Sequence, residues 1–231
     1  IIMKKVINAI LGVCALLLLF ICWRSIQDDQ EFNAEVAARE AVVKARLLQI
    51  RAAEEAYKAQ HEGVYCDNWN VLIEFVKNGR LPIIKKQGVL SDEQLEKGLT
   101  EDSAAMIVNS GDTKLIEANG LQDFRRDTIW VSLMDSLYRE EGFEADSLRF
   151  IPFSLGDTFE IIACPNTTRS GSIIQVMECN APDSSFLKGM GKMGNRLIQN
   201  RAEEADAKGA YPGLKIGDAG NNWNNNAGNW E

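Results

Sequence analysis

The run from Val6 to Trp23 is uncharged and apolar except for Asn8, with Lys4 and Lys5 before it and Arg24 at its end. Its 18 residues cover ~27 Å at ~1.5 Å per residue, enough to cross a hydrocarbon core. Trp23 suits the half-solvated interface. The run exceeds a signal-peptide core, and no A-x-A-like site follows. It therefore predicts an uncleaved anchor over residues 1–26, touching lipid through residues 6–23, with Met3 as the natural start. Two lysines before the run, and Asp28, Asp29 and Glu31 after it, place the N-terminus in the cytoplasm. The expected location is a bacterial inner membrane, crossed once, with the C-terminal domain in the periplasm.

Beyond the anchor the period changes but the helix signal does not stop. Neither Gly nor Pro occurs between Val13 and Glu62, and good helix formers dominate. Val36, Val43, Leu47, Ile50 and Tyr57 make one apolar stripe on a helix of charged residues, and Gly63 supplies a left-handed stop. The pattern predicts an amphipathic continuation helix over residues 27–63. Its lower part, Leu47, Ile50 and Tyr57, is expected to face the chain's own core. Val36 and Val43, nearer the membrane, are expected to face a partner helix.

Weaker signals follow in an expected domain over residues 64–216. Residues 68–78 read as a short helix and 81–84 as a brief extended piece. Residues 91–97 and 101–108 read as helices capped by Ser91 and Thr100. Residues 128–137 fit either period. Residues 148–153, 158–164 and 172–179 are β-branched or aromatic runs separated by turn chemistry, which predicts a three-stranded antiparallel meander. Residues 186–207 read as helical in part. Residues 217–231 are Asn-rich and aperiodic, hence a loop or tail. The fold class is α+β: a long helix packed on a small meander, with short helices between.

Charge and cysteines narrow the function classes. The net charge is −8, and residues 25–231 hold 22 basic and 33 acidic groups, which disfavours nucleic acid as a partner. Cys66, Cys164 and Cys179 lie outside the anchor with no C-x-x-C spacing. A disulfide between Cys164 and Cys179 requires neighbouring strands; reduced, buried thiols are the alternative.

Candidate chemistry is sparse. Gly189, Gly191 and Gly194 form a G-x-G-x-x-G around Lys192, but a dinucleotide site needs a parallel βαβ unit, and an antiparallel meander precedes this one. His61 is the only histidine, and with Cys66 it makes at most half a metal site or a Cys-His pair. The pairs Asp28–Asp29, Glu54–Glu55 and Glu140–Glu141 are neighbours on predicted helices, so they do not face each other and read as solvated. No catalytic residue, cofactor, metal or nucleotide site is predicted.

The stretch from Ala45 to Tyr57, with Leu47, Ile50 and Ala53, running into Gly63-Val64-Tyr65, resembles type IV pilins and secretion pseudopilins. That resemblance covers residues 4–66 in pattern and the meander in order of elements, and it implies a structural role in envelope assembly. The chain departs from the family where precursors carry a Gly before the apolar run and a Glu five residues in: here Lys5 and Ile10 stand. Arg126-Asp127-Thr128-Ile129-Trp130, Asp146-Ser147-Leu148-Arg149-Phe150 and the ending Asn229-Trp230-Glu231 resemble uncharacterised membrane-anchored proteins of the Bacteroidota. Within that resemblance, the Asp-hydroxyl-apolar triplets at Ser103, Thr128, Ser136 and Ser147 are similar to O-glycan acceptor patterns of envelope proteins. The same triplets are also ordinary turn and cap chemistry. The expected function is a membrane-anchored, pilin-like envelope scaffold that packs against other proteins or itself. The alternative is a tethered periplasmic ligand-binding or sensor module, which would show a concave polar pocket instead of an exposed apolar surface.

Overall fold

The computed structural model describes residues 2–138, 142–168, 170–220 and 226–231, with side chains from Leu11 onward. Helix α1 (Ile2–Gln60) is a single uninterrupted element of 59 residues. No break separates the predicted anchor from its continuation. It is long and apolar enough near the N-terminus to cross a membrane, and none of that apolar stretch is buried by the protein. The consecutive Leu16, Leu17, Leu18 and Leu19 are each more than half exposed, so the segment is apolar all round and has no covered face. The helix ends as Glu62 and Gly63 take positive φ, and the Gly63 N–H closes onto the Lys58 carbonyl at 3.1 Å.

The rest of the chain divides into two compact units, one from residues 1–73 and 144–231 and the other from residues 74–143. This differs from the single domain expected over 64–216. The divide falls inside α2 (Trp69–Asn78).

Unit 1 is built on the second half of α1. Its sheet is β3 (Glu160–Thr167), β4 (Ile173–Pro182) and β5 (Gly213–Gly217), antiparallel in that order. The three-stranded meander of the sequence reading is present in class, but its third strand is different. Residues 148–153 form only the end of a 3₁₀ turn (Ala145–Arg149) and one bridge, Phe150 to Thr158. Pro152 lacks the N–H a ladder needs, and Phe153 has φ +64°. The missing strand is β5, where Gly217 turns the chain at φ +72° and a Cβ would collide with the Met177 carbonyl. Between β4 and β5 lie α7 (Asp183–Phe186) and α8 (Gly191–Lys208). The end of the chain is not a free tail: Asn229 N–H donates to the Lys215 carbonyl at 3.0 Å, and Gly217 N–H donates to Ala227 at 3.1 Å. Residues 221–225 lie outside the described residues.

Unit 2 consists of a two-stranded antiparallel ribbon, β1 (Arg80–Gln87) with β2 (Arg125–Ser132), and α3 (Asp92–Glu96), α4 (Glu101–Asn109) and α5 (Thr113–Ala118) between its strands. Ser91 and Thr100 do stand at the starts of α3 and α4: the Gln94 Oε1 accepts the Ser91 N–H at 2.7 Å, and Thr100 and Ser103 exchange side-chain to backbone bonds as a reciprocal capping box. Leu90, Ala104, Leu121 and Phe124 form the small core of this helical part. The ambiguous stretch 128–137 is both things in turn: β2 ends at Ser132 and α6 (Leu133–Leu137) begins.

The stripe on α1 is the spine of unit 1. Val36, Val43, Leu47, Ile50 and Ala53 are buried, as is Ala56. Its immediate neighbour Val42 is 45% exposed. Val43→Asp places an unpaired charge in the core, at a cost of several kcal/mol. Val42→Asp stays in solvent and is expected to change stability by no more than ~0.5 kcal/mol. Thermal melting of the two full-length variants in detergent should therefore diverge, and equal melting would contradict the burial pattern.

Candidate functional site

The clearest surface for recognition is the ribbon of unit 2. Register pairs Pro82 with Trp130 and Ile84 with Thr128 on one face, and Leu81 with Val131 and Ile83 with Ile129 on the other. Cross-strand partners share a face and neighbours along a strand alternate, so both faces carry apolar groups. Ile83, Ile84, Ile129 and Trp130 are 45–57% exposed. Isolated two-stranded ribbons are marginal in water. This one is fixed at its far end, where Lys86 (2.8 Å) and Arg126 (3.4 Å) both pair with Glu101 of α4. Arg126 also donates to the Gln87 and Gly88 carbonyls and lies over the Phe124 ring at 3.8 Å. The two cations hold the Glu101 carboxyl below its usual range, hydrogen bonding from Lys86 being the larger cause. The outer edge of β1 is guarded by Pro82, which has no donor, and by Lys85 and Lys86, which oppose strand addition. The ribbon's faces carry the exposed apolar groups.

The stripe on α1 plays a different part from the one its spacing suggests. Leu47 and Ile50 do face the core, and Tyr57 is half-buried. Val36 and Val43 are not partner-facing, because the chain's own unit 1 covers them to 6% and 0% exposure. The arginines beside the stripe fasten distant segments to it. Arg39 donates to the Phe186 and Lys188 carbonyls, both at 3.1 Å, and its guanidinium lies 5.2 Å from the Phe153 ring centre. Arg46 donates to Ser147 Oγ at 2.8 Å. Arg51 donates to the Asn226 carbonyl at 3.0 Å and pairs with Glu231 at 3.3 Å. Glu40 accepts from Arg201 of α8 at 2.8 Å, and the buried Asp183 is the more distant partner of the same guanidinium at 3.4 Å. Burial raises the Asp183 carboxyl and Arg201 only partly offsets it. Burial works against the Arg201 cation, but the Glu40 hydrogen bond and the two carboxylates outweigh it.

Glu54 overturns the reading of its pair as a solvated face. Glu55 is exposed and takes hydrogen bonds from Tyr65 (2.7 Å) and Asn226 (2.6 Å), whereas Glu54 is wholly buried. Glu54 Oε2 accepts the Cys66 N–H at 2.9 Å, and Oε1 has no partner among the described residues. Burial pushes its pKa to about 8; the Cys66 hydrogen bond opposes the shift, and the charges of Glu55 and Asp67 add to it. At neutral pH this carboxyl is mostly protonated. Burial also raises the thiols of Cys66 and Cys179, so both stay unreactive.

The other candidates disperse. His61 is exposed, stacked on Tyr57 at 3.8 Å with Nδ1 2.8 Å from the Tyr57 carbonyl, while the Cys66 thiol turns to the Asn68 carbonyl. Cys164 pairs with Val176 and Cys179 with Ile161. Val176 and Cys179 are an odd number of residues apart, so the two thiols project from opposite faces of the sheet and no bridge joins them. Gly191 opens α8 after a helix and an antiparallel sheet, without the βαβ context a dinucleotide needs. Of the four hydroxyl triplets, Thr128 is exposed on the ribbon. Ser103 is engaged in the α4 capping box, Ser147 holds Arg46 and the Glu144 carbonyl, and Ser136 is partly buried. Glu140 and Glu141 lie outside the described residues. Among the described residues no group of three or more His, Cys, Asp and Glu side chains is placed to hold a metal ion. Two surface cavities have polar rims, one of ≈ 220 Å³ by Asp183, Arg201 and Tyr211 and one of ≈ 420 Å³ by Gln94, Glu117 and Asn119. No protein family, curated protein or solved structure matches this chain.

Glu54 gives a testable pH dependence. Its folded pKa of about 8 stands above the ordinary carboxyl value of 4.5. The stabilising, protonated form is therefore fully present below the unfolded pKa and is lost as pH rises through the folded one. Between those limits the parent should lose on the order of 4 kcal/mol, and Glu54→Gln should lose much less. Melting in detergent at intervals across that range checks it; parallel profiles would refute the assignment.

Proposed function

We propose that this chain is a single-pass, membrane-anchored interaction protein of a bacterial envelope, with its folded units in the periplasm. The observation that carries the reading is the continuity of α1. Its first half has the length and all-round apolarity of a bilayer span, and its second half is the spine of unit 1. A rigid helix passing from lipid into a folded core suits a protein that holds a domain at a membrane. The exposed apolar faces of the ribbon favour protein recognition over a ligand pocket, since exposed apolar groups at this density are typical of interfaces. A pilin-like assembly is supported by the helix architecture alone. The burial of Val36 and Val43 removes the helix-to-helix packing first expected, so the partner surface is assigned to Ile83, Ile84, Ile129 and Trp130.

Two experiments test this. Protease added to spheroplasts should digest the chain beyond Arg24 and spare the N-terminal segment. A protected C-terminal part would reverse the orientation, and complete extraction by alkaline carbonate would remove the anchor. For the recognition surface, Ile84→Ser with Trp130→Ser should lower cross-linked partner recovery at least tenfold, as interface aromatics contribute ~2 kcal/mol or more each. The melting temperature should be unchanged. Undiminished recovery would exclude the ribbon as the docking surface.

A further inference from the structure

Helix α8 begins where α1 leaves its apolar run. Met193, in the first turn of α8, lines a groove of ≈ 360 Å³ with Phe20, Ile21, Arg24, Ser25, Asp28 and Asp29 of α1. Phe20 and Ile21 belong to the membrane-length segment and Arg24 ends it. The first turn of α8 therefore stands at the level where hydrocarbon would give way to headgroups. Two turns further on, Arg201 reaches Glu40, so α8 leads away from that level in the same direction as α1.

The chemistry of this turn is unlike that of the rest of the chain. The protein carries a net charge of −8, yet residues 184–202 contain Lys188, Lys192, Arg196 and Arg201 and no acid. Arg201 is held by Glu40 and Asp183. Lys188, Lys192, Met193 and Arg196 are all exposed. None of the three cations forms an ion pair among the described residues. Lys192, Met193 and Arg196 fall within an arc of about 100° on the helix. Met193 lies at one edge of that arc with the two cations beside it, and an apolar side chain next to cations is how interfacial helices meet a bilayer, the apolar group among acyl chains and the cations at phosphates. The partial positive charge of the α8 N-terminus has the same sign. On α1 the groove is lined by Arg24, Asp28 and Asp29, with Glu31 next along the helix; Arg24 pairs with Asp28 at 3.4 Å. Two acids are left against three cations.

We infer that the first turn of α8 docks on the surface of the bilayer that α1 spans, Met193 entering the interface while Lys188, Lys192 and Arg196 bind the phosphates of anionic phospholipids. The inference rests on the membrane reading of α1. It gives unit 1 a second attachment to the membrane, so that the unit is held by two points.

The test uses the full chain in lipid nanodiscs made of phosphatidylcholine alone or mixed with phosphatidylglycerol, followed by hydrogen exchange. Each basic side chain near an anionic surface shifts the docked population by roughly fivefold. Amides of residues 189–197 should therefore exchange at least tenfold more slowly in anionic discs. Replacing Lys188, Lys192 and Arg196 together by Gln should abolish the difference, with exchange in β3 and β4 unchanged as evidence of intact folding. Failure of the chain to enter either disc would overturn the membrane reading itself. Entry with equal exchange in both lipids, or a triple variant that keeps its protection, would leave the anchor standing and overturn the docking of α8.

Discussion

Burial of one narrow stripe on α1 is the interaction on which unit 1 depends. Val43, Leu47, Ile50 and Ala53 are fully removed from solvent, and each larger side chain among them contributes roughly 1.5–3 kcal/mol on leaving water. The segments that cover the stripe come from widely separated parts of the chain: β5, α7 and the 3₁₀ turn at residues 145–149 all touch α1. None has an apolar face large enough to stand alone. The same helix also carries the membrane-length run, so the spine of unit 1 and that run are parts of one continuous helix, Ile2–Gln60.

Apolar burial pulls these segments onto α1 but does not choose their register, since it is non-directional. Directional contacts do so. Arg39, Arg46 and Arg51 each reach a different segment through carbonyl or hydroxyl acceptors, and a planar guanidinium is suited to such fixed forks. Glu54 is the exception. It accepts one backbone hydrogen bond, from the Cys66 N–H, and its other oxygen has no partner among the described residues. The position is stable because the group gives up its charge, which ties the junction between α1 and the following loop to the protonation state of a single side chain.

The sequence made the large features legible and hid the long-range ones. The span, the stripe, the caps at Ser91 and Thr100 and the β3–β4 pair all follow from local period and cap chemistry. β5 was missed because Leu214, Lys215 and Ile216 give only one alternation between glycines, too short to separate from a loop. The packing of residues 226–231 onto α1 leaves no local trace at all, since Asn-rich composition reads the same whether its amides face water or Tyr65. Val36 and Val43 show the limit most clearly: spacing identified the face of the helix that must be covered, but not whether the covering came from this chain or another. The ribbon surface had a visible signal in Ile83, Ile84, Ile129 and Trp130, and period alone left half of it undecided between strand and helix.

Unit 1 is discontinuous in sequence, and this has a consequence for how the protein is made. Residues 74–143 form a contiguous insert whose contacts close among themselves, so that piece is complete as soon as it has been synthesised. Unit 1 cannot close until β5 and residues 226–231 exist, because they cover one side of α1. Loop closure across so many residues is slow relative to local pairing. The apolar stripe of α1 thus stays uncovered while most of the chain is translated. That interval, more than the finished fold, is when this protein is exposed to aggregation or needs a chaperone.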